Sequence, residues 1–363
     1  MSMTVKQIIQ FFLPPIYYRL KAKFKYGKPI FKVELTQVER LYISLQDINA
    51  RKELAMSDLE GLTCEPLYGG SILMSPGLVI EPNYYGGFQV LQKYAGIPYW
   101  NFSPQKLSIQ HGYICEMFEW EKKKLRNVNF VWSDEVKRMY AEHTDNPYIT
   151  AIGAPFFYAS SIMTKEEITA EKKRLGKNLL AFPTHSTYYA DVAYNCAPFI
   201  NLLKEQQKKF DTVRVCVYWR DYQRGLVKPY IDAGFECVCC GHMHDPFFLE
   251  RQKALFEIAD ATISNALGSY IGYSIYLDKP HWLVPDKFDL KDHFGDEGKK
   301  EVEVWDSSPR YAELRKPFFY NPDFLITQEQ RNIVDKYWGT SCVKSPKEIR
   351  SLIEEAYKLS NSI

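Results

Sequence analysis

Three short runs hold residues whose types and positions could handle a phosphate. Pro183-Thr184-His185-Ser186-Thr187 follows the apolar run Asn178 to Phe182, Arg220 follows Thr212 to Tyr218, and Ser264-Asn265-Ala266-Leu267-Gly268-Ser269 follows Ala261 to Ile263. Thr184, His185 and Ser186 offer hydroxyl and imidazole groups to a phosphate or a sugar; alternatively, Ser186 or Thr187 caps the next helix. Arg220 either pairs with a phosphate or is a surface cation. The Ser264 to Ser269 run opens a helix. Backbone N–H groups at a helix start attract phosphate, and serine and glycine permit close approach. His242 and His244 end another apolar run, Glu236 to Cys240, and Asp245-Pro246 follows them. Gln110-His111-Gly112 ends a fifth, with Gly112 allowing a tight turn, and Glu116 and Glu119 come next. Tyr84-Tyr85-Gly86-Gly87 and Tyr68-Gly69-Gly70 are either plain turns or aromatic faces for a sugar.

These turns need elements to hold them. Short apolar runs recur at Ser71 to Met74, Leu107 to Gln110, Asn129 to Trp132 and Tyr148 to Ile152, with helical stretches at Phe88 to Tyr94 and Asp134 to His143. This alternation predicts an open, mostly parallel sheet. A Lys- and Glu-rich connector with a helix over Thr164 to Leu175 precedes a second series. That series has strands at Asn178 to Phe182, Thr212 to Tyr218, Glu236 to Cys240, Ala261 to Ile263 and His281 to Val284. Helices are expected from about Asp191 to Lys208, near Gly225 to Ala233, near Pro246 to Ile258 and at Tyr270 to Leu277. Two closing helices are predicted, Thr327 to Tyr337 and Pro346 to Leu359, the second capped by Ser345. The expected organisation is a basic aromatic segment 1–28, a Rossmann-like domain 29–158, a second Rossmann-like domain 176–288 and a helical extension 289–363. In such sheets ligands bind beyond the carboxyl ends of the strands, where the polar runs lie.

The 363 residues are 46% hydrophobic and 25% charged, enough apolar material for two cores. A net charge of +2 makes nucleic acid a poor default partner. No Walker loop, dinucleotide fingerprint or nucleophile elbow is present. There is no Asp-x-Asp, so no metal is expected. Cys237, Cys239 and Cys240 either lie buried as thiols or join His242 and His244 around zinc. Alternate strand residues point to opposite faces, which favours buried thiols. Residues 1–28 carry six basic residues (Lys6, Arg19, Lys21, Lys23, Lys25 and Lys28), while the first acid is Glu34. This segment either lies on an anionic membrane surface or packs as a first helix.

The stretch from His242 to Pro280 resembles the C-terminal half of GT-B glycosyltransferases and their relatives. These include CDP-glycerol glycerophosphotransferases and UDP-N-acetylglucosamine 2-epimerases. The matching residues are Ala259-Asp260, Ser264 to Ser269 and Lys279-Pro280. The resemblance implies an α/β GT-B fold, two Rossmann-like domains facing a cleft. It implies a nucleotide-sugar donor on the C-terminal domain, bound by Thr184, His185, Ser186, Arg220, His242, His244, Ser264, Asn265, Leu267, Gly268 and Ser269. One of His242 and His244 would meet the donor phosphates. His244 is nearer the helix start, but the sequence has His-Asp-Pro where sialyltransferase-like enzymes have His-Pro. The His-Gly pair of CDP-glycerol transferases matches His111-Gly112 and makes His111 the acceptor's base, with Glu116 and Glu119 as alternatives. Tyr84 and Tyr85 would touch the acceptor glycan or lipid-linked acceptor. The opening PPI and basic run is similar to proteins of surface-polysaccharide (O-antigen, capsule, lipopolysaccharide) clusters. The expectation is a metal- and cofactor-independent sugar transferase, cytoplasmic and at the inner membrane face. The rivals are a CDP-polyol phosphotransferase, a nucleotide-sugar 2-epimerase and a non-enzymatic glycan-binding assembly protein.

Overall fold

The computed structural model describes residues 81–97, 106–122, 125, 127–187, 190–241, 243, 247–285, 288–292, 304 and 307–361. The segment 1–28, residues 34–60 with the helical periodicity of their sequence, the loop expected at 68–70, the run Ser71 to Met74, His242 and His244 lie outside them.

Two parallel sheets are present. The smaller has strands β1 (Leu107–Ile109), β2 (Val128–Val131) and β3 (Ile149–Ala151) in that spatial order. Its helices are α1 (Gly87–Tyr94) and α2 (Asp134–Ala141), the second started by the Ser133 hydroxyl accepting from the Val136 amide. The connector helix α3 (Lys165–Leu175) shows why its sequence stops and starts where it does. Thr164 and Glu167 form a capping box, acids sit in the first turn and bases in the last, and Gly176 ends it at φ 63°.

The larger sheet contains β4 (Asn178–Phe182), β6 (Thr212–Cys216), β7 (Glu236–Val238), β8 (Ala261–Ser264) and β9 (His281–Leu283). Across the sheet they read β7-β6-β4-β8-β9, all parallel. The chain enters at the middle strand, winds out one way, then returns to wind out the other way. The order therefore reverses between β4 and β8, and the crevice beyond their carboxyl ends is where such a sheet binds ligands. β4 is buried along its whole length, as a central parallel strand requires. Two Rossmann-like sheets facing one cleft make the chain an α/β GT-B fold.

One expectation is corrected. The helix predicted from Asp191 begins instead with a strand, β5 (Ala190–Tyr194), paired antiparallel with β10 (Phe288–Asp292). Helix α4 (Ala197–Gln206) starts only after the Asn195 side chain accepts from the Ala197 amide, with Pro198 in its first turn. A short helix not expected from the sequence, α5 (Trp219–Gln223), is followed by a turn at Gly225, φ 74°, and by the helix expected near Gly225 to Ala233, α6 (Lys228–Asp232).

Helix α7 (Phe248–Ile258) leads into β8, and α8 (Tyr270–Tyr276) follows it. After α9 (Pro309–Arg315) come α10 (Gln328–Trp338) and α11 (Pro346–Asn361), started by the Thr327–Gln330 and Ser345–Glu348 pairs. These last helices do not stay with the larger sheet. Trp338 packs on Trp132 and its carbonyl accepts the Ala154 amide, while Arg350 donates to the carbonyls of Ala95 and Gly96. The largest apolar cluster runs through both sheets, from Phe88 and Leu107 to Leu179, Ile263 and Trp338, and a separate one around Val131, Val136 and Met139 lies on the smaller sheet's side.

Candidate active site

A cavity of about 370 Å³ lies between the two sheets. Its floor on one side is the β4–β8 crevice, lined by Thr184, His185, Leu267, Gly268 and Ser269. Its other side carries Gln110, His111, Gly112 and Tyr113 from the end of β1, with Tyr84 and Tyr85 above. Aromatic rings line much of the remaining wall: Trp132, Phe182, Tyr218, Phe248, Tyr270, Tyr273 and Tyr311.

The crevice side is tightly built. The Thr184 amide donates to the Asn265 side-chain oxygen at 2.6 Å, bridging the two strand ends. Ser186 is buried behind this turn: its amide donates to both Asp221 oxygens, and its hydroxyl oxygen accepts from Arg224 and from the Val192 amide at 3.1 Å. Burial raises the Asp221 carboxyl above its ordinary range, against the pull of His185, Ser186 and Arg224. His185 Nδ1 lies 2.8 Å from the Ser186 carbonyl. A carbonyl only accepts, so Nδ1 carries the hydrogen and Nε2 is left to meet a ligand. Ser264 also stands behind the loop, its hydroxyl donating to the Ala266 carbonyl, which Tyr270 holds from the other side at 2.6 Å. Gly268 has a steric reason: a Cβ there would stand 2.3 Å from the Tyr270 ring. Helix α8 is only seven residues, and Ser269 caps it with no side-chain bond. The Ser269 hydroxyl oxygen instead accepts the Tyr113 amide at 3.3 Å, joining the two sides of the cavity.

On the opposite side Gln110 fixes the turn that presents His111. Its side chain accepts the Trp132 amide at 2.7 Å and donates to the Gly112 carbonyl at 2.8 Å, while its own carbonyl accepts the Trp132 indole at 2.7 Å. Gly112 has no positive φ, and a Cβ there would meet Ser269 only at an ordinary 4.0 Å. The turn thus owes its shape to Gln110 rather than to glycine freedom. Tyr84 stands edge-on to His111 with centroids 5.2 Å apart. Tyr85 adopts φ 58°, a left-handed conformation that costs an L side chain roughly 1–2 kcal/mol.

Several sequence-chosen residues are placed elsewhere. Glu116 accepts from the Ser308 hydroxyl and pairs with Arg310 at 3.8 Å, away from the cavity wall. Arg220 Nε donates to Asp191 at 2.9 Å, so strand β5 takes the cation offered to phosphate. Ser186, Ser264 and Asn265 support the lining rather than form it. Glu119 starts a helical turn, Glu119–Lys122. Sequence reasoning missed Gln110 as an organiser and Tyr113, Tyr218 and Tyr311 as wall. Tyr218 lies two residues past the end of β6, close to the strand end that drew attention to Arg220. Cys237, Cys239 and Cys240 are buried, and Cys240 Sγ lies 3.9 Å from Cys216 Sγ. Burial pushes the Cys237 thiol up to about 12. No helix among the described residues is long and apolar enough to cross a membrane.

Among solved structures the chain is similar to the wall teichoic acid polymerase TagF, at 13% identity over 72% of this chain and 70% of that one, with a TM-score of 0.41. It is also similar to MnaA of S. aureus in complex with UDP, at 10% identity over 77% and 79%, with a TM-score of 0.33. A third similarity is to TarM, at 11% identity over 77% and 53%, with a TM-score of 0.28. No protein-family model matches the sequence. No curated protein matches it.

Proposed function

We propose that the chain transfers a sugar from a nucleotide-sugar donor to a surface glycan or lipid-linked acceptor. One observation carries this reading: His111 and His185, delivered by the strand ends of opposing sheets, line the same aromatic-walled cavity at the β4–β8 crevice. The donor sits on the crevice side against Thr184, His185 and the 267–269 loop. His185, with a second proton on Nε2, and His242 or His244 beyond the end of β7 donate to its phosphates and offset the charge that grows on the leaving group. The acceptor enters past Tyr84 and Tyr85, whose rings offer stacking faces. His111 takes the acceptor hydroxyl's proton as its oxygen attacks the anomeric carbon. The reaction draws on no metal, and the basic segment 1–28 brings the chain to the membrane that carries the acceptor.

Calorimetry with UDP-, GDP-, CMP- and CDP-linked sugars tests the donor side, and a chain that binds none of them is not such a transferase. His111→Ala should then slow transfer by about 10²- to 10⁴-fold, the usual worth of a general base. Donor affinity should stay within about twofold, because the donor's contacts lie on the other sheet. Lost donor affinity would move His111 into the donor site, and unchanged transfer would remove it from the chemistry.

A further inference from the structure

Tyr85 precedes α1 in the N-terminal part of the chain, yet it reaches across to the other sheet's elements. Its amide donates to the Met243 carbonyl at 2.6 Å, its hydroxyl meets the Tyr218 hydroxyl at 3.1 Å, and its ring leans on Phe248 with centroids 4.8 Å apart. The backbone there is bent for this purpose, with Tyr85 at φ 58° and Gly86 at φ 72°. A bulky residue keeps a left-handed conformation only when its surroundings hold it there. Here the surroundings belong to the opposite side of the cavity, so the bend depends on the lobes being close. The contacts continue outward in both directions. Tyr218 lies 4.7 Å from the His185 ring, and Tyr85 lies 6.1 Å from the His111 ring. A line of rings, His185–Tyr218–Tyr85–His111, thus spans the cavity from one set of strand ends to the other.

We propose that the Tyr85–Tyr218 hydroxyl pair is a latch between the lobes that keeps water from the cavity and so decides whether a bound donor's sugar reaches the acceptor or is hydrolysed. The inference rests on the sugar-transfer reading above. In transfer, the bond from the anomeric carbon to the phosphate oxygen breaks and its electron pair leaves with the phosphate. The acceptor oxygen forms the new bond, and its proton passes to His111. In hydrolysis a water oxygen forms that bond instead, with the same balance. Closure around the donor is what separates the two outcomes.

Tyr85→Phe and Tyr218→Phe each delete one hydroxyl and keep the ring. In each, free sugar released from donor alone should rise about tenfold or more relative to transfer. The double variant should match the single ones, because one deletion already breaks the pair. Hydrogen exchange of residues 81–94, measured without substrate, should quicken in both single variants. A hydrolysis-to-transfer ratio within about twofold of wild type, summed effects in the double variant, or unchanged exchange overturns the latch. A wild-type chain that turns over no nucleotide-sugar sinks the transfer reading instead. Exchange then still decides whether the pair holds the lobes together.

Discussion

His281 shows how one side chain can set a pH limit without touching a ligand. Its ring is fully buried, with Thr262 Oγ1 at 2.7 Å from Nδ1 and Ser264 Oγ at 3.0 Å from Nε2. Through Ser264 it backs the 266–269 loop. Burial pushes its pKa down to about 3, from about 6.5 for a free histidine. Between those values the unfolded chain binds a proton that the native ring refuses. The neutral ring's full contribution is therefore present above about pH 6.5 and falls away as the pH drops towards 3, by about 1.4 kcal/mol per pH unit. Urea unfolding at a series of pH values should show this slope in the wild type. His281→Gln should flatten it by that amount relative to wild type over the same window. Equal slopes in the two proteins would mean that the native ring protonates freely.

At the scale of elements, α8 and α10 meet where a helix carries a glycine in its interior. A Cβ on Gly272 would stand 2.4 Å from two carbons of the Trp338 ring. Elsewhere, Gly→Ala in a helix gains about 1 kcal/mol of propensity. Here overpacking costs about 1–3 kcal/mol and drives the helices apart. Trp338 also donates its indole hydrogen to the Ser269 carbonyl at 3.0 Å, so the displacement reaches the cavity loop. Gly272→Ala should lower the melting temperature and weaken donor binding together; a stabilised variant would show that the helices can shift freely. Elements of this kind were legible in the sequence when their signal was local. Asn178 to Phe182 reads as a strand from its apolar run, and Thr164 to Leu175 reads as a helix from its cap and charges. Strand β5 was not legible, because Ala190 to Tyr194 is held straight by a partner at 288–292. The same limit moved two site residues. Nothing near Glu116 announces Ser308 and Arg310, and nothing near Arg220 makes Asp191 a better partner than phosphate. The turns after β1, β4 and β8 were legible because strand ends alone predict where a parallel sheet keeps its site.

Across the whole molecule the question is what makes two sheets one unit. Among the described residues the ties are spread along the cleft. Lys93 of α1 pairs with Glu250 of α7, and Tyr113 reaches Ser269. Trp338 joins several of these at one point. Its ring is fully buried and lies 6.1 Å from Tyr113 and 6.4 Å from Trp132 on the smaller sheet's side, while its indole holds Ser269 on the other. The next residue, Gly339, is at φ 69°, where a Cβ would stand 1.9 Å from the Trp132 carbonyl oxygen. Close approach of the C-terminal helix to β2 therefore needs both the large ring and the small residue after it. Trp338→Ala should cost about 3–5 kcal/mol as a large-to-small change in a packed core. Because the lost contacts join the lobes, the loss should also divide unfolding. The wild type should melt in one transition whether followed by hydrogen exchange in β2 or in β8, and the variant in two, with β2 first. The smaller sheet is expected to go first because the described part has three strands against five. A variant that still melts in one transition, merely lowered, would show that the shared core around Phe156 and Tyr273, stacked at 4.1 Å, couples the sheets without the tryptophan.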